Sequence, residues 1–521
     1  MPQQLTLTVS PETGFSNEAL ALHVANLLGI QQGSAFHIRL LKRSIDSRSR
    51  KVKVIVKLEV YYQEALPASD YSEPLYHNVA SAPEVIIAGA GPAGLFAALR
   101  LLELGIKPII IERGKNVRER RRDLAAINRE HQVNPDSNYC FGEGGAGTYS
   151  DGKLYTRSNK RGEIRSVLGT FFAHGAVEDI LIDTHPHIGT NKLPGIIVSM
   201  RETILAHGGE IHFSSRITQI NHSMGALNGV VVNNAINVPA KALILATGHS
   251  ARDIYSMLAN EGIGVQFKPF ALGVRIEHPQ TLIDRIQYHC DTRGNFLPPS
   301  SYALVEQVDG RGVYSFCMCP GGIVAPCATE NGEVVTNGWS PSKRDNPFAN
   351  SGIVVEIRET DIPACFRQHG PLAGMYFQQS VEQAACQAGG GTQTAPAQRM
   401  VDFSEGRISG TLPPSSYLPG ITSVGLEEVL PAFVHQRLQN AFRLFGKKMR
   451  GYFTNEAVVH AVESRTSSPV RIQRDAETLQ HPQISGLFPC AEGAGYAGGI
   501  VSAAMDGQKC AEAAARFVSS K

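Results

Sequence analysis

The sequence predicts an α/β fold in which a discontinuous Rossmann-like domain surrounds a β-rich α+β domain and follows a small α+β N-terminal domain. Three observations lead to this prediction. An apolar strand near residue 85 runs into a glycine-rich turn and an apolar helix. A second strand, glycine-rich turn and helix follow near residue 490. Between them, apolar runs are short and broken by Gly, Pro and Asn, which is typical of β-rich domains.

These changes in composition divide the chain into four segments. The inserted β-rich segment is expected to act as a substrate or cap domain, and the last segment returns to the Rossmann-like domain. The predicted limits are 1–80 for the N-terminal domain, 81–269 for the first part of the Rossmann-like domain, 270–463 for the cap domain and 464–521 for the closing part.

The N-terminal domain has its own pattern of strands and helix. Ser16 is expected to cap a helix, and residues 52–60 alternate between apolar and polar as in a half-buried strand. A basic hairpin over 42–53 is interpreted as solvated, with a dock for an anionic partner such as RNA as the alternative. The apolar helix residues expected on one face are Leu20, Val24, Leu27 and Leu28.

The turn near residue 90 matches the GxGxxG pattern of dinucleotide-binding folds. Val85–Ala88 is predicted to be a buried parallel strand. Gly89 permits the tight turn, Gly91 lets the backbone approach a pyrophosphate, and Gly94 lets the helix pack closely on the strand. The helix N-terminus would offer N–H groups and a partial positive charge to phosphates. The predicted cofactor-binding residues of this turn are Gly89, Ala90, Gly91, Pro92, Ala93 and Gly94.

An acidic residue completes this pattern. A second strand, Ile109–Ile111, ends in Glu112, 18 residues after Gly94. Its carboxylate is expected to accept hydrogen bonds from the ribose hydroxyls of the dinucleotide and to disfavour a 2′-phosphate. The adjacent Arg113 belongs to the predicted site, as does Gly145 in a later glycine-rich run.

Two further turns point to FAD rather than to another dinucleotide. Ala246, Thr247 and Gly248 end an apolar strand, as in flavoproteins whose glycine passes close to the FAD pyrophosphate. The turn near residue 490 also matches GxGxxG, but no strand and acid follow it. It is predicted to hold the ribityl end of FAD, and the dipole of the next helix would stabilise reduced anionic flavin by about 0.3–2 kcal/mol. Its predicted cofactor-binding residues are Glu492, Gly493, Gly498, Gly499 and Ile500.

Bulk properties are those of an ordinary globular protein. The 521 residues are 42% hydrophobic and 18% charged, and the net charge of +2 indicates no polyanion-binding role. No apolar run approaches the roughly 18 residues that span a bilayer, and no export signal is expected. Nine cysteines without a framework fit reduced thiols in a cytoplasm. No Cys/His spacing predicts a metal site.

Five longer runs carry a resemblance to a known family. The chain resembles the uncharacterised bacterial FAD-dependent dehydrogenases, within the glutathione-reductase-like flavoprotein superfamily, over nearly its whole length. The resemblance implies an FAD-binding domain, a β-rich family-specific domain and a small N-terminal domain, without an established substrate. In one departure, the family favours Gly where this chain has Ala491. The runs are 41–48, 142–153, 316–322, 462–471 and 492–500.

Catalytic residues are weakly specified, because a flavin performs hydride transfer itself while the protein binds, orients and tunes it. Arg465 is one candidate, since an arginine beside the flavin could hold a substrate carboxylate bidentately. The alternative is a structural ion pair between Glu463 and an arginine. His249, directly after the turn at Gly248, is the second candidate, although a lone histidine is more often structural.

Cys317 and Cys319 are two residues apart, so on a regular strand both side chains face the same side. They could form a redox pair with the flavin. The alternative is that they are small buried strand residues, since CxC disulfides are uncommon and the chain contains no CxxC.

The electron source is a separate question. No second complete fingerprint for NAD(P)H is present, so either the substrate reduces the flavin or NAD(P)H binds transiently as a donor. The favoured hypothesis is a cytoplasmic FAD-dependent oxidoreductase that dehydrogenates or reduces a small organic substrate, without a membrane partner. The alternatives are a flavin-dependent enzyme or binder acting on RNA, with nucleic acid the less favoured partner, and a non-catalytic flavin redox sensor.

Overall fold

The computed structural model describes residues 2–31, 35–67, 74–155 and 163–520. Its N-terminal unit is an antiparallel three-stranded sheet with two helices on one face. The elements are β1 (Gln3–Val9), α1 (Pro11–Phe15), α2 (Asn17–Leu28), β2 (Phe36–Asp46) and β3 (Lys53–Tyr62), and the strand order is β1-β3-β2. The inward residues of β3 are buried, and the Ser16 hydroxyl caps α2 by accepting the Ala19 N–H, as the sequence predicts.

Two expectations for this unit need correction. Leu27 is exposed, because α2 turns Leu20 and Val24 toward the sheet instead. The basic segment over 42–53 is less accessible to a partner than a free hairpin would be. Its first residues belong to strand β2, which continues to Asp46. The Arg43 guanidinium lies 2.8 Å from the Asp183 carboxylate, and so one positive charge of the segment is already paired.

The Rossmann-like unit is organised around a five-stranded parallel sheet with the order β22-β10-β4-β5-β6. Its first part contains β4 (Glu84–Ala88), α3 (Pro92–Glu103), β5 (Lys107–Ile111), α4 (Val117–Glu130), α5 (Ile164–Ala173), α6 (Asp179–Ile182), α7 (Leu193–Ala206), β6 (Glu210–His212), β7 (Ile217–Ser223), β8 (Ala226–Val232), β9 (Ile236–Pro239), β10 (Leu243–Leu245), α8 (Arg252–Asn260) and β11 (Val265–Phe267). Its closing part contains β21 (Val470–Ile472), β22 (Leu487–Pro489) and α13 (Ile500–Ser519).

Helices and a second sheet cover the two faces of the parallel sheet. On one face α3 and α13 pack together, and they share an apolar core with α5 and α7. On the other face the antiparallel sheet β7-β8-β9 and α8 bury the opposite sides of β4 and β10. Because the strand pairing inserts β10 between β4 and β22, the first and last glycine-rich turns lie at the same edge of the sheet.

The inserted unit is a mixed seven-stranded sheet, largely antiparallel, with the order β13-β14-β17-β12-β20-β18-β19. Helices α10 and α12 contribute to its own apolar core. Its elements are β12 (Phe270–Pro279), α9 (Gln280–Tyr288), β13 (Val305–Val308), β14 (Arg311–Cys319), β15 (Ile323–Pro326), β16 (Thr336–Trp339), β17 (Phe348–Ile357), α10 (Ala373–Ala388), β18 (Ala395–Arg399), α11 (Met400–Glu405), β19 (Ile421–Ser423), α12 (Ala432–Lys448) and β20 (Val458–Glu463).

Candidate functional site

A cavity lies at the carboxyl edge of the parallel sheet, where ligands of open α/β folds bind. It contains about 1370 Å³ of empty space, part of it open to solvent. Its walls come from the residues that follow four strands, β4, β5, β10 and β22, and from the glycine-rich run after α4. The inserted unit adds Cys317 at the end of β14.

Two glycine-rich backbones meet in the wall of this cavity. A Cβ atom added to Gly145 would lie 3.1 Å from the Cα of Gly91, so the two backbones are in contact, and both residues line the cavity. Gly91 is also the N-cap of α3, and no side chain caps this helix. The N–H groups of its first turn are therefore available to an anion.

The first turn owes its close packing to Gly94. A Cβ at Gly94 would lie only 1.9 Å from the carbonyl oxygen of Gly89, so no other residue lets α3 begin so close to β4. Gly94 thus shapes the turn without lining the cavity.

Glu112 anchors the turn that precedes α3. One carboxylate oxygen accepts the Ala90 N–H at 2.7 Å, and the other accepts the N–H groups of Gly114 at 2.8 Å and Gly142 at 2.9 Å. The side chain is buried and lines the cavity. The predicted ribose acceptor is therefore also a structural clamp, although a carboxylate has about four acceptor positions and only three are used here.

The closing turn meets the turn at Gly248 directly. A Cβ at Gly493 would lie 2.7 Å from the carbonyl oxygen of Gly248, so the two backbones are in contact. Gly499 is the N-cap of α13 and, like Gly91, carries no side-chain cap. The Glu492 carboxylate accepts the Gly499 N–H and lines the cavity. Two helix N-termini consequently open toward one cavity.

His249 lies in the cavity wall beside this turn. Its Nδ1 is 2.9 Å from the Ser250 hydroxyl, and its Nε2 is 3.8 Å from the Glu492 carboxylate. Burial lowers the pKa of His249, and the Glu492 charge opposes this shift. The imidazole is therefore neutral near pH 7 and able to accept a proton at Nε2.

The residues fit FAD by three observations. Gly91 and Gly145 line the cavity with bare backbone, which suits the close approach of a pyrophosphate, and the N-termini of α3 and α13 supply donors. The Thr247 hydroxyl is buried and has no hydrogen-bond partner among the described residues, although buried polar groups are normally paired. An added Cβ at Gly248 or Gly499 would meet nothing within 4 Å, so the backbone there borders open space.

The structure brings most of the predicted site residues together. The predicted residues that line the cavity are Gly89, Gly91, Pro92, Ala93, Glu112, Arg113, Gly145, Ala246, Thr247, Gly248, Glu492, Gly499 and Ile500. Four others do not line it: Ala90, Gly94 and Gly493 are buried, and Gly498 is exposed.

Arg465 does not line the cavity, which corrects its assignment as a group facing flavin or substrate. Its guanidinium lies 2.8 Å from the Glu333 carboxylate and 2.9 Å from that of Glu382. Arg252 pairs with the same two acids at 2.8 and 2.7 Å. All four side chains are buried, so Arg465 belongs to a closed ionic network.

Glu463 does form an ion pair with an arginine, but the partner is Arg275. Its guanidinium lies 2.7 Å from the Glu463 carboxylate, and both side chains are buried. The ion pair between Glu463 and an arginine, which is the structural alternative for this segment, is therefore present, and its arginine is distant in the sequence.

Several cavity residues are absent from the sequence-based site. Phe141 and Ile217 form apolar wall near Arg113, and Asp151 and Lys153 stand in the continuation of the glycine-rich run. The run 142–153 was distinctive in sequence, and this signal could have indicated more than Gly145. Phe141 and Ile217 carry no such signal, because apolar cavity walls resemble ordinary core residues.

A buried arginine holds the glycine-rich run in shape. The Arg120 guanidinium donates to the carbonyl oxygens of Asn138 and Glu143 at 2.8 Å and of Tyr139 and Gly145 at 2.9 Å. A buried backbone carbonyl needs a hydrogen-bond donor. In this irregular segment Arg120 supplies the donors that backbone N–H groups supply in helices and sheets.

Cys490, Asp506 and Cys510 also cluster in the core, within 4.8 Å of one another. The Arg474 guanidinium lies 2.8 Å from the Asp506 carboxylate and already supplies the positive charge there. The Asp506 carboxylate also accepts the Ala491 N–H at 2.7 Å, so the cluster supports the closing turn.

Comparisons with known proteins identify FAD-related domains in the chain. Residues 269–466 match a family described as "FAD-dependent protein, C-terminal domain-like", and residues 82–127 match an FAD binding domain. Residues 1–61 match a domain of unknown function. An uncharacterized protein of Clostridium beijerinckii is 40% identical over 509 residues, which cover 94% of each chain.

Several solved structures are distantly similar. The flavin-dependent brominase Bmp2 is 13% identical, with a TM-score of 0.37, and the match covers 85% of this chain and 80% of that one. A variant of halogenase PltM in complex with FAD is 13% identical, also with a TM-score of 0.37, over 84% of this chain and 70% of that one. Scores in this range do not establish a shared fold or function.

Within the described part of the chain, the helices are either too short or too polar to cross a bilayer.

Proposed function

The chain belongs to a family of FAD-dependent proteins that includes the Clostridium beijerinckii relative, and from this premise we propose that it is an FAD-dependent oxidoreductase acting on a small organic substrate. The observation that carries the proposal is the convergence of the uncapped N-termini of α3 and α13 on one cavity. A dinucleotide with a pyrophosphate at one helix and an isoalloxazine ring at the other satisfies both sets of donors.

Each part of FAD has a matching set of residues. Glu112, Arg113 and the apolar Phe141 would hold the adenosine, and the bare backbone of Gly91 and Gly145 in the cavity wall would hold the pyrophosphate. The N-terminus of α13 would lie against the flavin. A bound flavin supplies the two-electron chemistry, while the protein binds and orients the reactants.

His249 is proposed to move the proton that accompanies the reaction. His249 lines the cavity, its Nε2 lies 3.8 Å from the Glu492 carboxylate, and its Nδ1 lies 2.9 Å from the Ser250 hydroxyl. A neutral imidazole in this position accepts a proton as substrate is oxidised, or returns it when substrate is reduced. Arg465 has no part in this proposal.

The substrate and the electron donor are proposed only by class. The cavity wall carries cationic, acidic and apolar side chains, so the substrate is proposed only as a small organic molecule; the charged residues are Lys153, Arg113, Arg216, Glu112, Asp151, Asp253 and Glu492. Both direct reduction of the flavin by substrate and transient binding of NAD(P)H are compatible with this cavity. Hydride transfer, membership of the glutathione-reductase-like superfamily and a cytoplasmic location are parts of the same proposal.

The proposal is tested first by flavin content. Purified protein should be yellow and release one FAD per chain on acid denaturation. In Gly91→Val the added Cβ would meet only the Gly145 Cα, at 3.9 Å, and φ stays negative, so the fold should survive; because Gly91 lines the cavity, FAD affinity should fall at least about tenfold. Gly195→Ala, in an open part of α7, is the matched control. Colourless protein that takes up no FAD would refute the proposal.

Substrate class is tested by anaerobic bleaching of the flavin absorbance. NADH, NADPH and a panel of small hydroxy, amino and keto acids are offered in turn, and the expected result is bleaching by at least one of them. Protein that binds FAD but is reduced by no donor, while a partner binds only one redox state, would favour the redox-sensor alternative.

A further inference from the structure

Cys317 reaches the cavity because strand β14 is irregular at this residue. Its φ of +46° is in the left-handed region, and the pairing with β17 slips between Phe316 and Cys319. On a regular strand the side chains of Cys317 and Cys319 would face the same side, but here they differ in exposure. Cys317 lines the cavity, whereas Cys319 is fully buried directly behind it.

The two thiols nevertheless remain neighbours. The Cys319 thiol donates a hydrogen bond to the Cys317 carbonyl oxygen, with its sulfur 3.2 Å from that oxygen. On a regular strand, Cα atoms two residues apart are separated by about 6.6–6.8 Å, at the upper limit for a disulfide. A bulge bends the strand and shortens this separation, so the irregularity favours the bond.

Positive groups surround the Cys317 thiol. The Lys153 ammonium lies 4.0 Å from its sulfur, and the Arg275 guanidinium approaches the Cys317 carbonyl oxygen at 3.4 Å. The hydrogen bond from Cys319 and these two charges lower the pKa of Cys317 to about 5, against burial and the Asp151 charge. Cys317 is therefore a thiolate at neutral pH, and the pKa of Cys319 is raised, so Cys319 keeps its proton.

We propose that Cys317 and Cys319 are a dithiol–disulfide pair that exchanges two electrons with FAD bound in this cavity. The inference rests on the proposed function and adds to it a second redox centre. In the oxidative direction the Cys317 thiolate and the Cys319 thiol form one S–S bond and release two electrons and one proton. Oxidised FAD takes up both electrons and the proton to become the reduced anion, so charge and atoms balance. The reverse step returns the thiolate and thiol.

Through this pair, the flavin could exchange electrons with external thiols or disulfides. Cys317 is the accessible sulfur and would exchange with an external thiol or disulfide, while the buried Cys319 acts as the resolving partner. Lys153 is a positioning residue, because its charge holds Cys317 in the reactive thiolate form.

The first test counts electrons in the holoprotein. Anaerobic dithionite titration of the wild-type protein should consume about four electrons per FAD, two for the flavin and two for the disulfide. Cys317→Ser and Cys319→Ser should each consume about two. Cys365→Ser, which removes an exposed cysteine outside the cavity, should remain at about four. Wild-type protein that binds FAD and saturates at two electrons would overturn the pair while leaving the proposed function intact.

The second test uses the wild-type protein alone and does not depend on variants that fold. Holoprotein is oxidised, denatured and alkylated, and the peptide containing both cysteines is weighed. An intramolecular disulfide leaves it unlabelled and about two mass units lighter, and photoreduction of the flavin before denaturation should restore two labels. Labelling of both cysteines in the oxidised protein would contradict the inference. Protein without FAD would refute the proposed function and with it the coupling.

The third test addresses Lys153. The rate of iodoacetamide labelling of Cys317 in reduced protein should rise through pH 5 and change little above pH 6. In Lys153→Met the rise should move to higher pH, and labelling at a pH well below both midpoints should slow about tenfold for each unit by which the pKa increases. An unchanged pH profile would remove Lys153 from the mechanism.

Discussion

Ala491 has a backbone conformation that L-residues rarely adopt. Its φ is +58°, it is buried, and it stands between strand β22 and the Glu492 turn. The left-handed conformation costs an L-residue about 1–2 kcal/mol, and glycine avoids this cost. Alanine at this position, where the resembling family favours glycine, therefore brings backbone strain.

Replacing this alanine by glycine should leave the protein as stable or more stable. Relief of strain in Ala491→Gly offsets the greater backbone entropy of glycine in the unfolded chain, for a net gain of about 0–1 kcal/mol. The control Ala125→Gly, at an exposed position within α4, should instead lose about 0.5–1 kcal/mol. Urea unfolding of both variants measures the difference, and equal losses would contradict the strain.

Glu112 offers a second test at this scale. In Glu112→Gln an amide group replaces one of the two acceptor oxygens, so a buried backbone N–H loses its partner. We expect a loss of about 1–3 kcal/mol in the free energy of unfolding and weaker FAD binding. Glu84→Gln, which removes an exposed charge near Lys107, should cost about 0–1 kcal/mol. Similar losses in the two variants would argue against the clamp.

At the scale of elements, the packing of α3 on α13 positions both helix N-termini. Gly507 lies at their contact, where an added Cβ would be 2.2 Å from the Ala93 carbonyl oxygen. Gly507→Ala should push the helices apart, lower stability by about 1–3 kcal/mol and weaken FAD binding. Gly195→Ala, in open space on α7, should gain about 0.5–1 kcal/mol. Thermal melts with and without FAD compare the two, and a stable, FAD-loaded Gly507→Ala would show that this spacing is not required.

The elements next to glycine-rich turns are those that sequence predicts best. The predicted strands Val85–Ala88 and Ile109–Ile111 lie within the observed β4 and β5. The local sequence of each turn also indicates most of the cavity wall, because each turn needs glycine at particular positions.

Pairings between distant residues could not be predicted in the same way. Arg465 is two positions from Glu463 in the sequence, but the acids it pairs with are Glu333 and Glu382, which lie 132 and 83 positions away. The irregularity at Cys317 was also invisible, because a bulge depends on how β14 meets β17 rather than on local sequence. Tertiary packing decides such features.

At the scale of the whole molecule, the ionic network joins the Rossmann-like unit to the inserted unit. Arg252 comes from α8, Glu382 from α10, and Arg465 from the segment after β20. Although burial opposes ionisation, the two guanidiniums hold the pKa of Glu382 well below its usual range. Because that pKa is lower than in the unfolded chain, its stabilising contribution is present at neutral pH and is lost in acid.

Removing one member should therefore destabilise the assembly of both units. Arg465→Met leaves two buried acids with one guanidinium, and we expect a loss of about 3–5 kcal/mol in the free energy of unfolding. Arg358→Met, which breaks the more exposed pair with Glu356, should cost much less. If Arg465→Met were fully stable but bound substrate poorly, the arginine would have a role in recognition instead.

The central position of β10 has a consequence for synthesis on the ribosome. Until Leu487–Pro489 emerge, the β10 edge has no neighbour on one side, and about 240 residues separate the two strands in the chain. At about 5–20 residues per second, translation leaves this edge bare for roughly 12–50 s. The nascent chain must protect an unpaired parallel strand for that time, and the dinucleotide can be fully enclosed only after translation has nearly finished.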